Sequence, residues 1–191
     1  HEKIKLAMKI QTFVTGPLVW QGTMYLTTAR LTIALDAATC RERWRHAWEP
    51  RDRFSWTNNR GVALKDGYVV RGTADGYLLA LDAATGRMLW ARQVAKPVLG
   101  EQITMPPLVF EDLVIIGPAG SEMGGQGWVG AFRLADGSPV WRFHTVPRPG
   151  EPAESTWQNA PGIPIAGGAV WTAPSLDAAT GDLFVAVGNP A

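Results

Sequence analysis

The amino-acid sequence predicts an all-β fold, a β-propeller assembled from four-stranded blades. Three observations carry that prediction. A similar stretch returns as ALDAATCRERW, ALDAATGRMLW, AFRLADGSPVW and SLDAATGDLFV, starting at Ala34, Ala80, Ala131 and Ser175 and so 46, 51 and 44 residues apart. Spacings of about 40–50 residues are the period of one propeller blade. Short apolar runs alternate with turn residues, and no segment shows the 3.6-residue periodicity of an amphipathic helix. The chain also holds nine Trp and 21 Gly, a composition suited to repeated, tightly packed hairpins.

Each element follows from local chemistry. In the second unit Gly67–Val70 reads as a strand and Ala74-Asp75-Gly76 as a turn. Gly76–Leu81 is the next strand, ending at Asp82, and Ala84-Thr85-Gly86 turns the chain into a return strand that carries Trp90. Glycine enters positive φ without steric cost, and Asp or Thr side chains bond nearby backbone amides. The same order is read upstream at Gly22–Leu26 and Leu31–Leu35, and downstream at Leu113–Ile116, Gly127–Phe132 and Val140–Phe143. Trp44, Trp90 and Trp141 hold one repeat position, where a large ring with a single N–H donor is expected to fill the gap between neighbouring blades. Cys40 stands where the second repeat has Gly86, and is expected to replace a turn glycine, not to act as a nucleophile. The Pro- and Gly-rich stretch 146–168 breaks the rhythm and is expected to be a long functional loop within a single domain, residues 1–191.

Several function classes are excluded. A net charge of +1 gives no global attraction to nucleic acid. The run Arg41, Arg43, Arg45, Arg51, Arg53 is interleaved with Glu42, Glu49 and Asp52 and reads as a solvated strand face. One cysteine permits neither an intrachain disulfide nor a cysteine zinc site. No apolar run reaches the roughly 18 residues of a membrane-spanning helix. The chain starts at His1 without a signal peptide, so a fragment or processed form is expected. Gly125–Gly130 satisfies G-x-G-x-x-G, but it leads into Ala131-Phe132-Arg133-Leu134, a strand, so it is not a dinucleotide fingerprint. His46 and His144 are isolated and share no ligand spacing.

The repeat A-x-D-x-x-T-G-x-x-x-W resembles the tryptophan-docking motif of quinoprotein alcohol and methanol dehydrogenases, which use pyrroloquinoline quinone (PQQ). A non-catalytic outer-membrane assembly lipoprotein carries similar repeats. Other segments resemble that dehydrogenase family more specifically and occur in its order. They are Asn59-Arg60-Gly61-Val62-Ala63, Ile115–Glu122 followed by Gly127-Trp128-Val129, Gly167–Trp171, and Val187-Gly188-Asn189-Pro190-Ala191. The resemblance implies about four blades, from the N-terminal side, of an eight-bladed propeller completed by further chain. It implies that Arg60 and Thr104 bind PQQ carboxylates, that Trp171 is the floor under the ring, and that Glu122 and Asn189 hold Ca²⁺ or a lanthanide. These residue types suit those tasks: a guanidinium fork matches a carboxylate, an indole face a flat ring, and hard oxygens a hard cation.

The activity so implied is oxidation of an alcohol by hydride transfer to metal-activated PQQ in the periplasm, with cytochrome c or a membrane quinone as electron acceptor. The general-base Asp would lie beyond Ala191, as would the basic residue at the quinone carbonyls. Phe54-Ser55 replaces the family's vicinal cysteines, and Val14 and Ala119 replace a Glu and a Ser that contact PQQ. Those losses favour a second reading, a non-catalytic propeller serving as scaffold or sensor. The ordered set Arg60, Glu122, Trp171 and Asn189 favours the enzyme.

Overall fold

The computed structural model describes residues 13–53, 57–157 and 165–190. Among them the regular elements are strands and three-residue 3-10 turns. The first sheet is an antiparallel meander of β1 (Leu18–Trp20), β2 (Thr23–Thr27), β3 (Leu31–Asp36) and β4 (Glu42–Ala47). The second consists of β5 (Ala63–Lys65), β6 (Tyr68–Gly72), β7 (Tyr77–Asp82) and β8 (Met88–Gln93). The third consists of β9 (Leu108–Phe110), β10 (Leu113–Ile116), β11 (Trp128–Arg133) and β12 (Pro139–His144). A two-stranded hairpin follows, β13 (Ser175–Asp177) with β14 (Asp182–Phe184). The chain is thus all-β, with three complete blades and the beginning of a fourth.

The blades pack face to face. The middle strands of the second blade, β6 and β7, are apolar runs buried on both faces, as strands sandwiched between two other sheets must be. One core cluster joins blades two and three through Val70, Leu78, Ile103, Ile116 and Trp128; a smaller one joins blades one and two through Tyr25, Trp44, Val69 and Leu81.

Trp44 and Trp90 dock as their repeat position predicts. Trp44 Nε1 donates to Ala83 O at 3.0 Å and Trp90 Nε1 to Leu134 O at 3.0 Å, each reaching the next blade at the equivalent turn. The rings lie against Gly86 and Gly137: a Cβ on Gly86 would be 2.7 Å from Trp44 Cδ2, and one on Gly137 2.7 Å from Trp90 Cζ3. Among the described residues nothing covers Trp141 in this way, and it is 39% exposed, against 8% for Trp44.

The turns are built as expected. The Asp82 carboxylate accepts from Ala84 N, Thr85 N and Thr85 Oγ1 at 2.7–3.1 Å, which holds it below the usual carboxylate range, the Thr85 hydroxyl being the largest cause. Asp36 repeats this turn and is depressed further, chiefly by Arg43. Cys40 (φ 57°) donates its N–H to Asp36 O as Gly86 (φ 72°) does to Asp82 O, so the cysteine does replace a turn glycine. The β4 arginines face solvent, with Arg43 paired to Asp36 and Arg45 to Glu42. Arg51 instead stacks on Trp48 and Tyr77, 4.8 and 5.2 Å from their ring centroids. Gly125–Gly130 leads into β11, as its strand reading requires.

Two features depart from the sequence reading. The segment Ser175–Val185 aligns with the tryptophan repeat but is not the outer hairpin of a blade. Its β13–β14 pair occupies the place of β5–β6 and β9–β10. Val170, five residues before β13, packs on Gly117, where a Cβ would lie 2.7 Å from Val170 Cβ. Ile103, five residues before β9, packs the same way on Gly72, at 2.8 Å. The position that aligns with Trp90 is therefore Val185, and no tryptophan is needed there. His144 is also not isolated: its Nδ1 lies 2.7 Å from Glu151 Oε1, at the base of the 146–168 loop.

Arg71 ties the first two blades together from inside. It is fully buried, and its Nη1 donates to Leu31 O (2.7 Å), Nη2 to Thr28 O (2.9 Å) and Ala29 O (3.0 Å), and Nε to Gly72 O (3.0 Å). Burial pushes its pKa down to about 9, so it remains a cation at neutral pH.

Candidate functional site

The expected site residues precede the short first strands of the blades or follow the second. Arg60 lies just before β5, Thr104 before β9 and Trp171 before β13. The backbone around Arg60 is fixed on both sides. Arg60 N donates to Thr104 O at 2.9 Å, and Arg60 O accepts from Gly16 N at 2.8 Å. Asn59 Nδ2 donates to Gly72 O at 2.8 Å, and its Oδ1 accepts from Gly61 N at 3.2 Å. Gly61 needs a φ of 139°, which places it edge-on to Gly16 O.

These constraints aim the side chains at one another. Arg60 Nη1 donates to Thr104 Oγ1 at 2.5 Å, and Arg60 Cζ stands 5.1 Å from the Trp171 ring centroid. Thr104 is fully buried, whereas Trp171 is 44% exposed. Partial burial lowers the Arg60 pKa, but a guanidinium stays charged under such a shift. The result is a cation held over a part-exposed indole.

The segments that carry Glu122 and Asn189 are joined by a different route. Glu122 is exposed in the 3-10 turn Ser121–Met123. A Cβ on Gly120, which opens this turn, would overlap Gly100 O, so the turn rests backbone on backbone against the preceding connection. Gln102 and Ala119 exchange both backbone hydrogen bonds beneath it. The segment leading to Trp171 lies between those of Glu122 and Asn189. Val170 N donates to Pro118 O (2.9 Å) and Ala169 N to Ser121 Oγ (3.1 Å), while Gly188 N donates to Ala169 O (2.8 Å) and Gly168 N to Asn189 O (3.0 Å). The loop 146–168 closes at the same place, with Thr145 Oγ1 donating to Gly168 O at 2.5 Å.

Arg60, Thr104 and Trp171 thus form one side-chain cluster. The Glu122 turn is tied to the Trp171 segment through Pro118 O and Ser121 Oγ and Asn189 through its own carbonyl, and among the described residues Glu122 and Asn189 share no side-chain bond. Asn189 Nδ2 donates to Pro190 O at 3.0 Å, and its Oδ1 has no partner among the described residues. The described residues contain no group of three His, Cys, Asp or Glu able to hold a metal ion by themselves. Phe54 and Ser55 lie outside the described residues. Val14 is exposed and Ala119 buried, and neither side chain offers a polar contact. Sequence reasoning missed Ser121, whose partner is 48 residues away and carries no side-chain signature. A cavity of about 690 Å³ lined by Trp20, Tyr25, Arg43 and Lys65 lies between blades one and two. It is at the far end of β5 from Arg60 and has no part in this cluster.

Residues 2–191 match the PQQ family described as the β-propeller domain of glucose, ethanol and alcohol dehydrogenases. The quinohemoprotein alcohol dehydrogenase ADH IIB of Pseudomonas putida is 37% identical over 191 residues, covering 91% of this chain and 27% of that protein. A lanthanide-dependent methanol dehydrogenase of Methylacidiphilum fumariolicum is 34% identical over 150 residues, covering 69% of this chain and 24% of that protein. The solved quinohemoprotein alcohol dehydrogenase ADHIIG of Pseudomonas putida superposes with a TM-score of 0.84 at 32% identity, over 95% of this chain and 29% of that one. The chain therefore spans about a quarter of the length of the curated relatives it matches.

Proposed function

The chain belongs to the PQQ family of glucose, ethanol and alcohol dehydrogenase β-propellers, and from that premise we propose that it supplies about half of the cofactor pocket of an enzyme that oxidises an alcohol. The observation that carries this reading is the Arg60–Thr104–Trp171 cluster. A guanidinium hydrogen-bonded to a buried hydroxyl and held 5.1 Å over a half-open indole suits a flat polycarboxylate. A scaffold has no need of that arrangement.

PQQ, when bound, would supply the hydride acceptor, and a metal ion held by this chain would supply Lewis-acid activation. The chain's own residues do the holding. Arg60 offers its fork to a carboxylate, and Thr104 keeps that fork from rotating away. Trp171 sets the plane of the ring. Glu122 and Asn189 Oδ1 are the oxygens that would hold Ca²⁺ or a lanthanide. Both are hard donors, the kind a hard cation takes. The same reading assigns the general base to an Asp beyond Ala191, the electrons to cytochrome c or a membrane quinone, and the protein to the periplasm.

The test is alcohol-dependent dye reduction by the full-length protein, supplied with PQQ and either Ca²⁺ or La³⁺. Activity that needs both additions and falls at least about 100-fold in Glu122→Gln supports the reading, since a lost metal ligand removes the Lewis acid. Activity unchanged in Glu122→Gln overturns the assigned site.

A further inference from the structure

We infer that Ser121 is a positioning residue that fixes the spacing between the two proposed metal ligands, an inference that rests on the reading of Glu122 and Asn189 given above. Ser121 is 2% exposed, and its hydroxyl oxygen accepts the buried N–H of Ala169 at 3.1 Å. One residue on, Val170 N is satisfied by a backbone carbonyl, that of Pro118. Beyond Pro118 the chain bends into the Ser121–Met123 turn, and Ala169 N meets the Ser121 hydroxyl in place of a main-chain carbonyl. The Ser121 side chain therefore does what a strand carbonyl would do if the chain had not turned aside to present Glu122.

The other edge of the same segment carries Asn189. Gly188 N donates to Ala169 O at 2.8 Å, and Gly168 N to Asn189 O at 3.0 Å. Ala169 is the shared residue: its N–H is held by the Glu122 turn and its carbonyl by the Asn189 segment. Gly188 completes the contact, because a Cβ there would lie 3.5 Å from both Ser121 Oγ and Trp171 Nε1. Removing the hydroxyl leaves a buried N–H without its acceptor and frees the Glu122 turn to shift relative to Asn189 and the indole. Two ligands on separate segments bind an ion well only while their separation is held, so the loss appears in metal affinity.

The experiment uses the full-length protein saturated with PQQ and titrated with Tb³⁺, read by tryptophan-sensitised luminescence and by Ca²⁺ competition. Ser121→Ala is expected to weaken Tb³⁺ binding at least about 10-fold, the usual scale for residues that orient metal ligands. Ser121→Cys, nearly isosteric but a poorer acceptor, falls between parent and Ala, and decides the matter alone if the Ala variant does not fold. Thr73→Ala is the matched control, since the Thr73 hydroxyl also accepts one buried-side backbone N–H, that of Tyr77 at 3.0 Å, in the second blade. It should lower the melting temperature comparably while leaving Tb³⁺ affinity at the parent value. Parent-like affinity in both Ser121 variants, with binding lost in Glu122→Gln, overturns the role of Ser121 and leaves the metal reading intact. An equal loss in Thr73→Ala also overturns it. No Tb³⁺ binding by the parent, or parent-like binding in Glu122→Gln, overturns the metal reading and this inference together.

Discussion

Gly86, Gly137 and Gly181 hold the same place in three turns, with φ of 72°, 71° and 80°, but only the first two lie under a docked tryptophan. Alanine at each separates the backbone cost from the cost of blade docking. A Cβ in the left-handed region costs roughly 1–2 kcal/mol, and the stiffer unfolded chain returns about 0.5–1 kcal/mol. Gly181, with nothing within 4 Å of its Cβ position, should therefore lose only about 1 kcal/mol on substitution. Gly86→Ala adds a Cβ 2.7 Å from Trp44 Cδ2, and Gly137→Ala one 2.7 Å from Trp90 Cζ3. Overpacking of that kind adds about 1–3 kcal/mol, for a total near 2–4 kcal/mol. Cys40→Gly at the equivalent turn relieves the left-handed strain and should stabilise by about 0.5 kcal/mol. The assay is urea unfolding of the full-length protein followed by tryptophan emission. Equal losses in Gly86→Ala and Gly181→Ala would refute the docking argument, because the two turns share the left-handed φ and the N–H bond to the aspartate carbonyl but not the ring.

Arg71→Met should destabilise by about 3–5 kcal/mol, since it strands the carbonyls of Thr28, Ala29, Leu31 and Gly72 that the guanidinium now caps in the interior. A change below about 1 kcal/mol in urea unfolding would show that those carbonyls find water or other donors. Acid should loosen the turns in a defined direction. The Asp82 pKa is lowered in the folded chain, so its contribution is present above the ordinary carboxylate value near 4 and is lost as pH falls through the lower folded value. Asp82→Asn should accordingly flatten the acid limb of stability just below the ordinary carboxylate value, and an unaltered limb in melts at stepped pH would contradict the assignment.

Much of this architecture is legible in sequence because its determinants are local. The D-x-x-T-G turn needs only residues within four positions, and the docking tryptophans announce themselves by recurrence. For the same reason the sequence misplaces Ser175–Val185. A turn sequence closes any hairpin, and which hairpin of the blade it closes is settled by packing of Val170 on Gly117, which no local pattern records. Arg71 and Ser121 leave no local pattern for a related reason: apart from Gly72 O, the backbone groups they bond lie 40 to 48 residues away. His144 looked solitary because Glu151 lies across the start of an irregular loop. The Arg60, Thr104 and Trp171 cluster was found through family resemblance, and the geometry adds the contact that makes it one unit.

The most direct measurement is the equilibrium affinity of the full-length protein for PQQ at saturating Ca²⁺, comparing parent with Arg60→Met by quenching of tryptophan fluorescence. Loss of a charge-assisted bond worth about 1.5–3 kcal/mol predicts binding weaker by about 10- to 100-fold. An unchanged isotherm would mean that the guanidinium poised over Trp171 does not receive the quinone.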